Sequence, residues 1–465
     1  MTPTDRTQTA HLSPFSTQEV AETPLLLLCL RAQGSIEDRE RMVVPSNGLV
    51  LGRRPAGAGR AAPGFLYLDD PLASSNHARL QREGEVWTLV DLGSKNGTFV
   101  DGERLGVPVE LKDGARIFVG NHGFVFRLAS AQQIEAIKAE LSDPLGPVAT
   151  VSPRLAMLCS KLRRLAPSST EVLLSGETGV GKEVYAHALH ARSGRPGRFV
   201  ALNCAAIPRE LVESELFGYR QGAHSTAQSA KAGLIEQAEG GTLFLDEIGE
   251  MSVEAQTKLL RFLQDRHLTP LGSTRPRLVD VRVIAATNRD VVPGASGAVR
   301  DDLLGRLGAA PVRIPPLRER IEDVGRLVLH FLAHHGLGGT PVPLGVDLAA
   351  ARAMMLARYP LNVRELEKMI AAAVALSGPA QWIGLGDLPE TLTAPPPVVA
   401  EQIFAAQTYS GRKPPEPAPA AEELERLLRV HDGNVADVAR AVGRQRAAVW
   451  RWLKRYGLEP KVFKE

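Results

Sequence analysis

Cysteine is scarce in this chain: Cys29, Cys159 and Cys204 stand far apart among 465 residues. No two have the spacing of a disulfide framework or a zinc site, so both are excluded, and the usage fits a reducing, cytoplasmic compartment. Long apolar runs are missing too. The longest, Leu25–Leu30, is far too short to cross a bilayer, and no basic segment precedes it, so neither membrane anchor nor leader is expected. Charge of one sign is also lacking, because a formal net charge of +3 excludes a uniformly basic surface. The bias that exists is local. From Arg440 onward come Arg444, Arg446, Arg451, Lys454, Arg455, Lys461 and Lys464, against only Glu459 and Glu465. DNA binding is therefore expected at the C-terminal end alone.

What is present divides the chain into regimes. Residues 1–22 are polar and aperiodic and read as a flexible tail. Residues 23–130 hold short apolar runs (LLLLCL, GLVLG, FLYLDD, EVWTLVDLG, GTFV, ARIFVG, GFVFRL) separated by Asn-Gly and Asp-Gly turns, which predicts an all-β sandwich. A linker helix is expected over 131–146, where QQIEAIKAEL has helical spacing. Over 147–318, strand-like runs (EVLLSG, GTLFLDE, VRVIAATN) alternate with amphipathic stretches, the pattern of an α/β domain with a parallel sheet. The strands are expected to stop at Pro315-Pro316, leaving 319–392 as an all-helical lid. Residues 393–419 form a Pro-rich linker, and 420–465 a small all-α domain. No internal repeat is found.

The chemistry concentrates at two places in the α/β region. GETGVGKE lies between a strand and a helix. Gly176, Gly179 and Gly181 let backbone N–H groups of Glu177, Thr178 and Val180 curl round phosphates, and Lys182 supplies a point charge. A Ser or Thr usually follows the Lys of this motif to hold magnesium; here Glu183 follows. Further on, GTLFLDEIGEM ends a buried strand in Asp246, suited to hold Mg2+, and Glu247, suited to orient or deprotonate water. ATP with Mg2+ is the expected cofactor pair.

At this point the chain resembles a known family. GETGVGKE, LNCAAI, ESELFG, GTLFLDEIGEM, VRVIAATNRD, PPLRER and NVREL, in order over about residues 147–392, are similar to the AAA+ domain of bacterial enhancer-binding proteins, the activators of sigma-54 RNA polymerase. In that family Glu normally follows the Lys. The resemblance implies that Asn203 restrains Glu247 until nucleotide is in place. It also implies that Thr287 and Asn288 sense the γ-phosphate, and that Arg364 in the lid touches the same nucleotide. Arg300 and Arg306 match paired arginine fingers, which implies a homo-oligomer, from dimer to hexameric ring. The chain departs from the pattern at Val299, Leu304 and Gly305, at Tyr359-Pro360-Leu361, and in the sigma-contact loop. There the family signature GAFTGA is replaced by Gly222, Ala223, His224, Ser225, Thr226 and Ala227.

The N-terminal sandwich carries Gly52-Arg53, Ser74-x-x-His77 and Ser94-Lys95-Asn96-Gly97-Thr98 on its loops and resembles a forkhead-associated (FHA) domain. Arg53 can give charge-assisted hydrogen bonds to a phosphate, Ser74 adds a hydroxyl, and Asn96 can hold a ligand's main chain. The candidate set is Arg53, Ser74, Ser75, Ser94 and Asn96, with His77 expected to be structural. The implied ligand is a phosphothreonine segment written by a Ser/Thr kinase, on a partner protein or on the chain's own Thr-rich tail.

ELERLLRVHDGNVADVARAVGRQRAAVWRWLKRYGLEP reads as a helix–turn–helix, with Asn434 as cap, Val435, Val438, Ala439 and Val442 as apolar face, and Val449 and Leu453 inward. Arg444, Gln445, Arg446, Ala447, Trp450, Arg451 and Lys454 are left to meet DNA. It resembles the Fis-type domain of the same activators. Three readings stay open on sequence: a regulator whose ATPase ring remodels sigma-54 polymerase at upstream promoter sites, a DNA-bound regulator that no longer engages sigma-54 because its loop reads GAHSTA, and a nucleotide-gated phosphopeptide adaptor.

Overall fold

A computed structural model describes residues 22–32, 41–55, 61–222, 229–289, 299–308, 311–335, 345–377, 382–393, 421–431 and 434–441, with 449, 453, 456 and 458. The chain divides into two compact units, residues 1–394 and 395–465.

The first unit begins with two six-stranded sheets. One runs, in spatial order, Arg41–Val43, Thr23–Arg31, His122–Ala129, Arg116–Val119, Thr98–Val100 and Glu103–Arg104. The other runs Val109–Glu110, Val86–Asp91, Ala78–Glu83, Leu49–Arg53, Phe65–Leu68 and Ala61–Ala62. Their inner faces meet over Leu26, Leu49, Leu51, Leu80, Trp87, Leu89, Ile117 and Phe126. Ala78–Glu83 is a strand without an apolar run, because only Ala78 and Leu80 of its six residues are buried. The strand Thr23–Arg31 explains the leucine run. Leu26 and Leu28 point into the sandwich, while Leu25 and Leu27 pack outside against the helices that follow. Both faces are buried, so neither needs a polar residue.

Ser130 starts helix α1 (Ala131–Ser142) with a capping box. Its hydroxyl accepts from Gln133 N–H, and the Gln133 side chain accepts from Ser130 N–H. α2 (Pro153–Leu165) begins with Pro at its first position and leads into the α/β layer. A parallel sheet runs in spatial order Phe199–Asn203, Thr242–Asp246, Arg282–Thr287, Val172–Ser175 and Pro311–Arg313. Around it lie α3 (Lys182–Ala191), α4 (Arg209–Phe217), α5 (Leu234–Gln237), α6 (Val253–Asp265) and α7 (Asp301–Leu307). Separate apolar clusters cover the two faces, as a doubly covered parallel sheet requires. Arg282, only 1% exposed, donates to the carbonyls of Leu165 and Ala166 at the C-terminal end of α2 and to that of Thr170 beyond it. A cation there meets the negative end of the helix dipole.

The lid holds α8 (Val324–His335), α9 (Leu348–Leu356) and α10 (Asn362–Ser377). The expectation that strands end at Pro315-Pro316 needs correction. Gly345–Val346 and Trp382–Ile383 pair in parallel inside the lid. Two residues on each side are too short to show a period, and the pairing comes from tertiary packing.

In the second unit, helices Ala421–Val430 and Val435–Ala441 pack through Leu424, Leu428, Val435, Val438 and Ala439, with Val449 and Leu453 in the same core. Asn434 precedes the second helix. Its carbonyl accepts from Asp437 and Val438 N–H, and its amide donates to the Asp437 carboxylate. Val442 and the DNA-facing set Arg444, Gln445, Arg446, Ala447, Trp450, Arg451 and Lys454 lie outside the described residues, as do Ala223 to Ala227 of the sigma-contact loop.

Candidate functional site

Strand register gathers the candidates at one edge of the parallel sheet. Ser175 lies opposite Thr287, and Asn203 opposite Asp246, so four strands end side by side where a doubly covered sheet places its ligand. The turn after Val172–Ser175 carries the glycines. A side chain on Gly179 would put Cβ 2.1 Å from the Leu361 carbonyl, and its φ of +79° is left-handed, so only Gly fits. That close approach joins the loop to the lid, because Gly179 O accepts from Val363 N–H at 3.0 Å.

Lys182, 7% exposed, donates to Gly176 O at 3.0 Å and lies 3.3 Å from a Glu247 oxygen. The other Glu247 oxygen accepts from Asn288 N–H at 3.0 Å. Glu247 itself has φ +52°, a costly left-handed conformation for a residue with a side chain, held just where the strand ends. Burial first, and the neighbouring Glu247 second, raise the Asp246 carboxyl above its ordinary value. One of its oxygens accepts from Glu247 N–H, and the other has no partner among the described residues. A carboxylate so placed is relieved by a cation.

These groups line a cavity of about 690 Å3. Thr178, Gly179, Val180, Gly181, Lys182 and Glu183 form one wall, Asn203, Asp246, Glu247 and Asn288 the floor, and Arg364 projects from the lid. Val148, Leu155, Leu327 and Phe331 make an apolar end, with His330 and His334 beside them. A cavity with a cationic and an apolar end suits an anionic ligand with a flat ring system.

Other candidates stand apart. Thr287 is 1% exposed and outside the cavity lining, its carbonyl accepting from Gly176 N–H. Asn203 turns its side-chain oxygen to Ala205 N–H, so Glu247 is held by Lys182 and Asn288 in this state. Arg300 and Arg306 are exposed and line no part of their own chain's cavity. Arg300 forms a two-pronged pair with Asp302, and Arg306 donates to Leu263 O.

Glu177 faces the lid. Two hydrogen bonds from Arg318, aided by Asn362, hold its carboxyl at about 2. Sequence reasoning gave Arg318 and Asn362 no role, although both sit in the quoted segments PPLRER and NVREL. Asn362 is fully buried with φ +55°, donates to Glu177 and to Thr178 O, and accepts from Leu317 N–H. An outlying backbone angle fixed by three partners is the signal that identifies it, and only a structure displays it.

The second candidate site lies at the sandwich loops. Arg53 N–H donates to Ser74 O at 2.8 Å, and Gly52 allows this approach, since a Cβ there would fall 1.9 Å from Ser75 O. The Arg53 side chain is exposed. Ser74 Oγ accepts from Lys95 N–H, and Asn96 donates to Leu72 O at 2.8 Å, stitching two loops together. Ser94 is spent internally, donating to Asp91 and accepting from Gly97 N–H. Ser75 stands in the loop with its carbonyl against Gly52. His77, fully buried, bonds Ser74 N–H and Gly97 O.

The fold and cavity define an AAA+ ATPase core joined to an FHA sandwich, and comparisons with known proteins agree. The Sigma-54 interaction domain matches residues 148–313, the FHA domain 51–120 and the AAA+ ATPase lid domain 318–402. The transcriptional regulatory protein GlrR of Escherichia coli K12 is 38% identical over 327 residues, 68% of this chain and 70% of that protein. The DNA-binding transcriptional regulator NtrC of Azospirillum brasilense is 46% identical over 267 residues, 56% of this chain and 55% of that one. The crystal structure of NtrX from Brucella abortus in complex with ADP superimposes with a TM-score of 0.50 at 30% identity, over 70% of this chain and 73% of that one. The chain belongs to the family of sigma-54-dependent transcriptional regulators, as a member with an FHA domain at its N-terminal side.

Among the described residues, no helix is long and apolar enough to cross a membrane.

Proposed function

We propose that this protein couples phosphothreonine recognition to ATP-driven remodelling of sigma-54 polymerase at promoters selected by its C-terminal helix–turn–helix. The observation that carries the ATPase half is the convergence of Lys182, Asp246, Glu247 and Asn288 on one cavity, with Lys182 and Glu247 3.3 Å apart. Lys182 and the backbone of Gly176 to Glu183 hold the β- and γ-phosphates. Asp246 would hold Mg2+, which would supply charge neutralisation on the phosphates. Glu247, freed from Lys182 when phosphate takes the cation, orients the attacking water, and Asn203 and Asn288 set its position. Asn288 senses the γ-phosphate at the cavity floor, with Thr287 behind it supporting the turn, and Arg364 touches the same nucleotide from the lid. Arg300 and Arg306, exposed and outside their own cavity, serve a neighbouring subunit's nucleotide in a homo-oligomeric ring.

Arg53 and Ser74 anchor the phosphate of a phosphothreonine segment, Asn96 holds that segment's main chain, and Ser75 stands beside them. Ser94 acts indirectly by shaping the loop. A Ser/Thr kinase then writes the signal, on a partner or on the chain's own tail. DNA is met by Arg444 to Lys454, and the protein works in the cytoplasm.

One observation favours a second reading, in which the ATPase turns over without engaging sigma-54: His224, Ser225 and Thr226 stand where the family signature has Phe, Thr and Gly. Replacing a buried Phe contact by His adds a polar edge at a cost of roughly one to a few kcal/mol. Purified transcription from a sigma-54 promoter separates the readings. Activation by the wild type and none by Glu247→Gln supports remodelling. Activation seen only when His224→Phe, Ser225→Thr and Thr226→Gly are combined supports the second.

A further inference from the structure

The outer face of the sandwich is part of the ATPase core. Cys29, Phe118 and Val125 share one apolar cluster with Leu327, Phe331, Met354, Met355, Leu366 and Ile370 of the lid. Cys29 Sγ donates to Ile321 O at 2.9 Å. Arg127 forks onto Glu322, which has no exposure, and also donates to Glu319 O. Arg352 of α9 lies 4.2 Å over the Phe99 ring and 5.6 Å from that of Phe118, its buried Nε without a hydrogen-bond partner among the described residues. Met355 packs its sulfur over Gly123, where a Cβ would fall 2.3 Å away. On the other side, Leu25 and Leu27 pack against Ile137 of α1 and Ala156 of α2. The sandwich therefore straddles the lid and the α/β layer, the two bodies between which the cavity opens.

A second feature ties the phosphate loop to this seam. Asp70, 3% exposed, begins the loop that carries Ser74. Its carboxylate accepts from Leu72 N–H within that loop. It also accepts from the N–H and side-chain amide of Asn121, and meets the buried His122 ring at 3.2 Å. Asn121 precedes and His122 opens the strand His122–Ala129, whose next residue, Gly123, carries Met355 of the lid, and Asn121 O accepts from Ala32 N–H. Loop, hinge carboxylate, strand and lid helix are thus in continuous contact.

We infer that phosphothreonine and ATP bind with positive coupling, through the Asp70 joint and the seat of the sandwich on α9. This rests on the phosphothreonine reading above. A phosphate held by Arg53 and Ser74 stiffens the 69–77 loop, and Asp70 passes that restraint to the strand on which α9 sits. The lid is then set against the Gly179 turn, so each ligand finds part of the ordering already done. Coupling between two sites is reciprocal, so each ligand must raise the other's affinity by one factor, expected at about fivefold or more.

The test uses the full-length protein and the best binder from a degenerate phosphothreonine peptide library. Its Kd is measured by calorimetry with and without a non-hydrolysable ATP analogue, and that of the analogue with and without peptide. Equal tightening of at least about fivefold in both directions is expected. Asp70→Asn and, from the lid side, Arg352→Leu should each bring the factor to about one while peptide and analogue still bind alone. Unchanged or weaker affinities overturn the coupling and leave the phosphothreonine reading standing. Full coupling in both variants overturns the proposed route. A library in which phosphorylated and plain peptides bind alike overturns the phosphothreonine reading and the coupling with it.

Discussion

The two recognition sites hold their charge in opposite ways. At and beside the nucleotide cavity the charged groups are paired with each other: Lys182 with Glu247 inside it, and Glu177 with Arg318 where the loop meets the lid. At the sandwich loops the pairing is done by the scaffold, through backbone bonds and the Asp91 carboxylate, and the Arg53 side chain is left exposed. The difference follows from the work assigned to each. A site that must change state keeps its cations on removable partners, whereas a site that only recognises is preset and spends nothing on rearrangement.

That contrast is open to breakage, and the largest effect should come from Lys182. Lys182→Ala should lower ATP turnover by on the order of a hundredfold or more, chiefly through nucleotide binding, and leave peptide binding intact. Equal turnover in the variant and wild type would remove the cation from the site.

Next comes the exposed finger. Arg300→Ala alone should be almost inactive, yet mixing it with Lys182→Ala should restore part of the activity at mixed interfaces. Full activity at dilutions where sedimentation finds only monomer would place the arginine elsewhere.

Arg53→Ala, at the preset site, should weaken phosphothreonine peptide binding by roughly ten- to a hundredfold, the worth of about 1.5–3 kcal/mol for a charge-assisted contact. Turnover without peptide should be unchanged.

Asn362→Ala acts from the lid side. It removes bonds to Glu177, Thr178 and Leu317, so ATP affinity should fall by about five- to tenfold, from roughly 1–1.4 kcal/mol.

The smallest effect concerns Asp91. Burial works against its charge, but hydrogen bonds from Ser94, Thr98 and Gly93 outweigh it and hold the carboxyl at about 2. A lowered pKa gives stability that is present above the ordinary carboxylate range and is lost as pH falls through about 2. Asp91→Asn should therefore melt about 2 °C lower at neutral pH, the loop being partly exposed, and the gap should close as the pH approaches 2. A gap constant with pH would deny the carboxylate this role.

What was legible in the sequence was local. The glycines, Lys182 and the strand-ending Asp246-Glu247 pair are each fixed within a few neighbours, and Gly179, Gly181, Lys182, Asp246 and Glu247 line one cavity. Arg318 and Asn362 reach Glu177 from 141 and 185 residues away, beyond any periodicity. Ser94 shows the opposite limit: its position in the loop suits a ligand, but Asp91, three residues earlier, has already claimed its hydroxyl. The leucine run revealed a strand and hid the reason for its unbroken apolarity, which lies in helices and a lid encoded far downstream.

That last feature bears on synthesis. Cys29 and its acceptor, Ile321, are separated by 292 positions. Translation at about 5–20 residues per second leaves the sandwich waiting roughly 15–60 s for the segment that covers it. During that interval the newborn protein offers the cell an oily flank. A ribosome stalled before the lid is made should leave a product that is soluble only while a chaperone shields it.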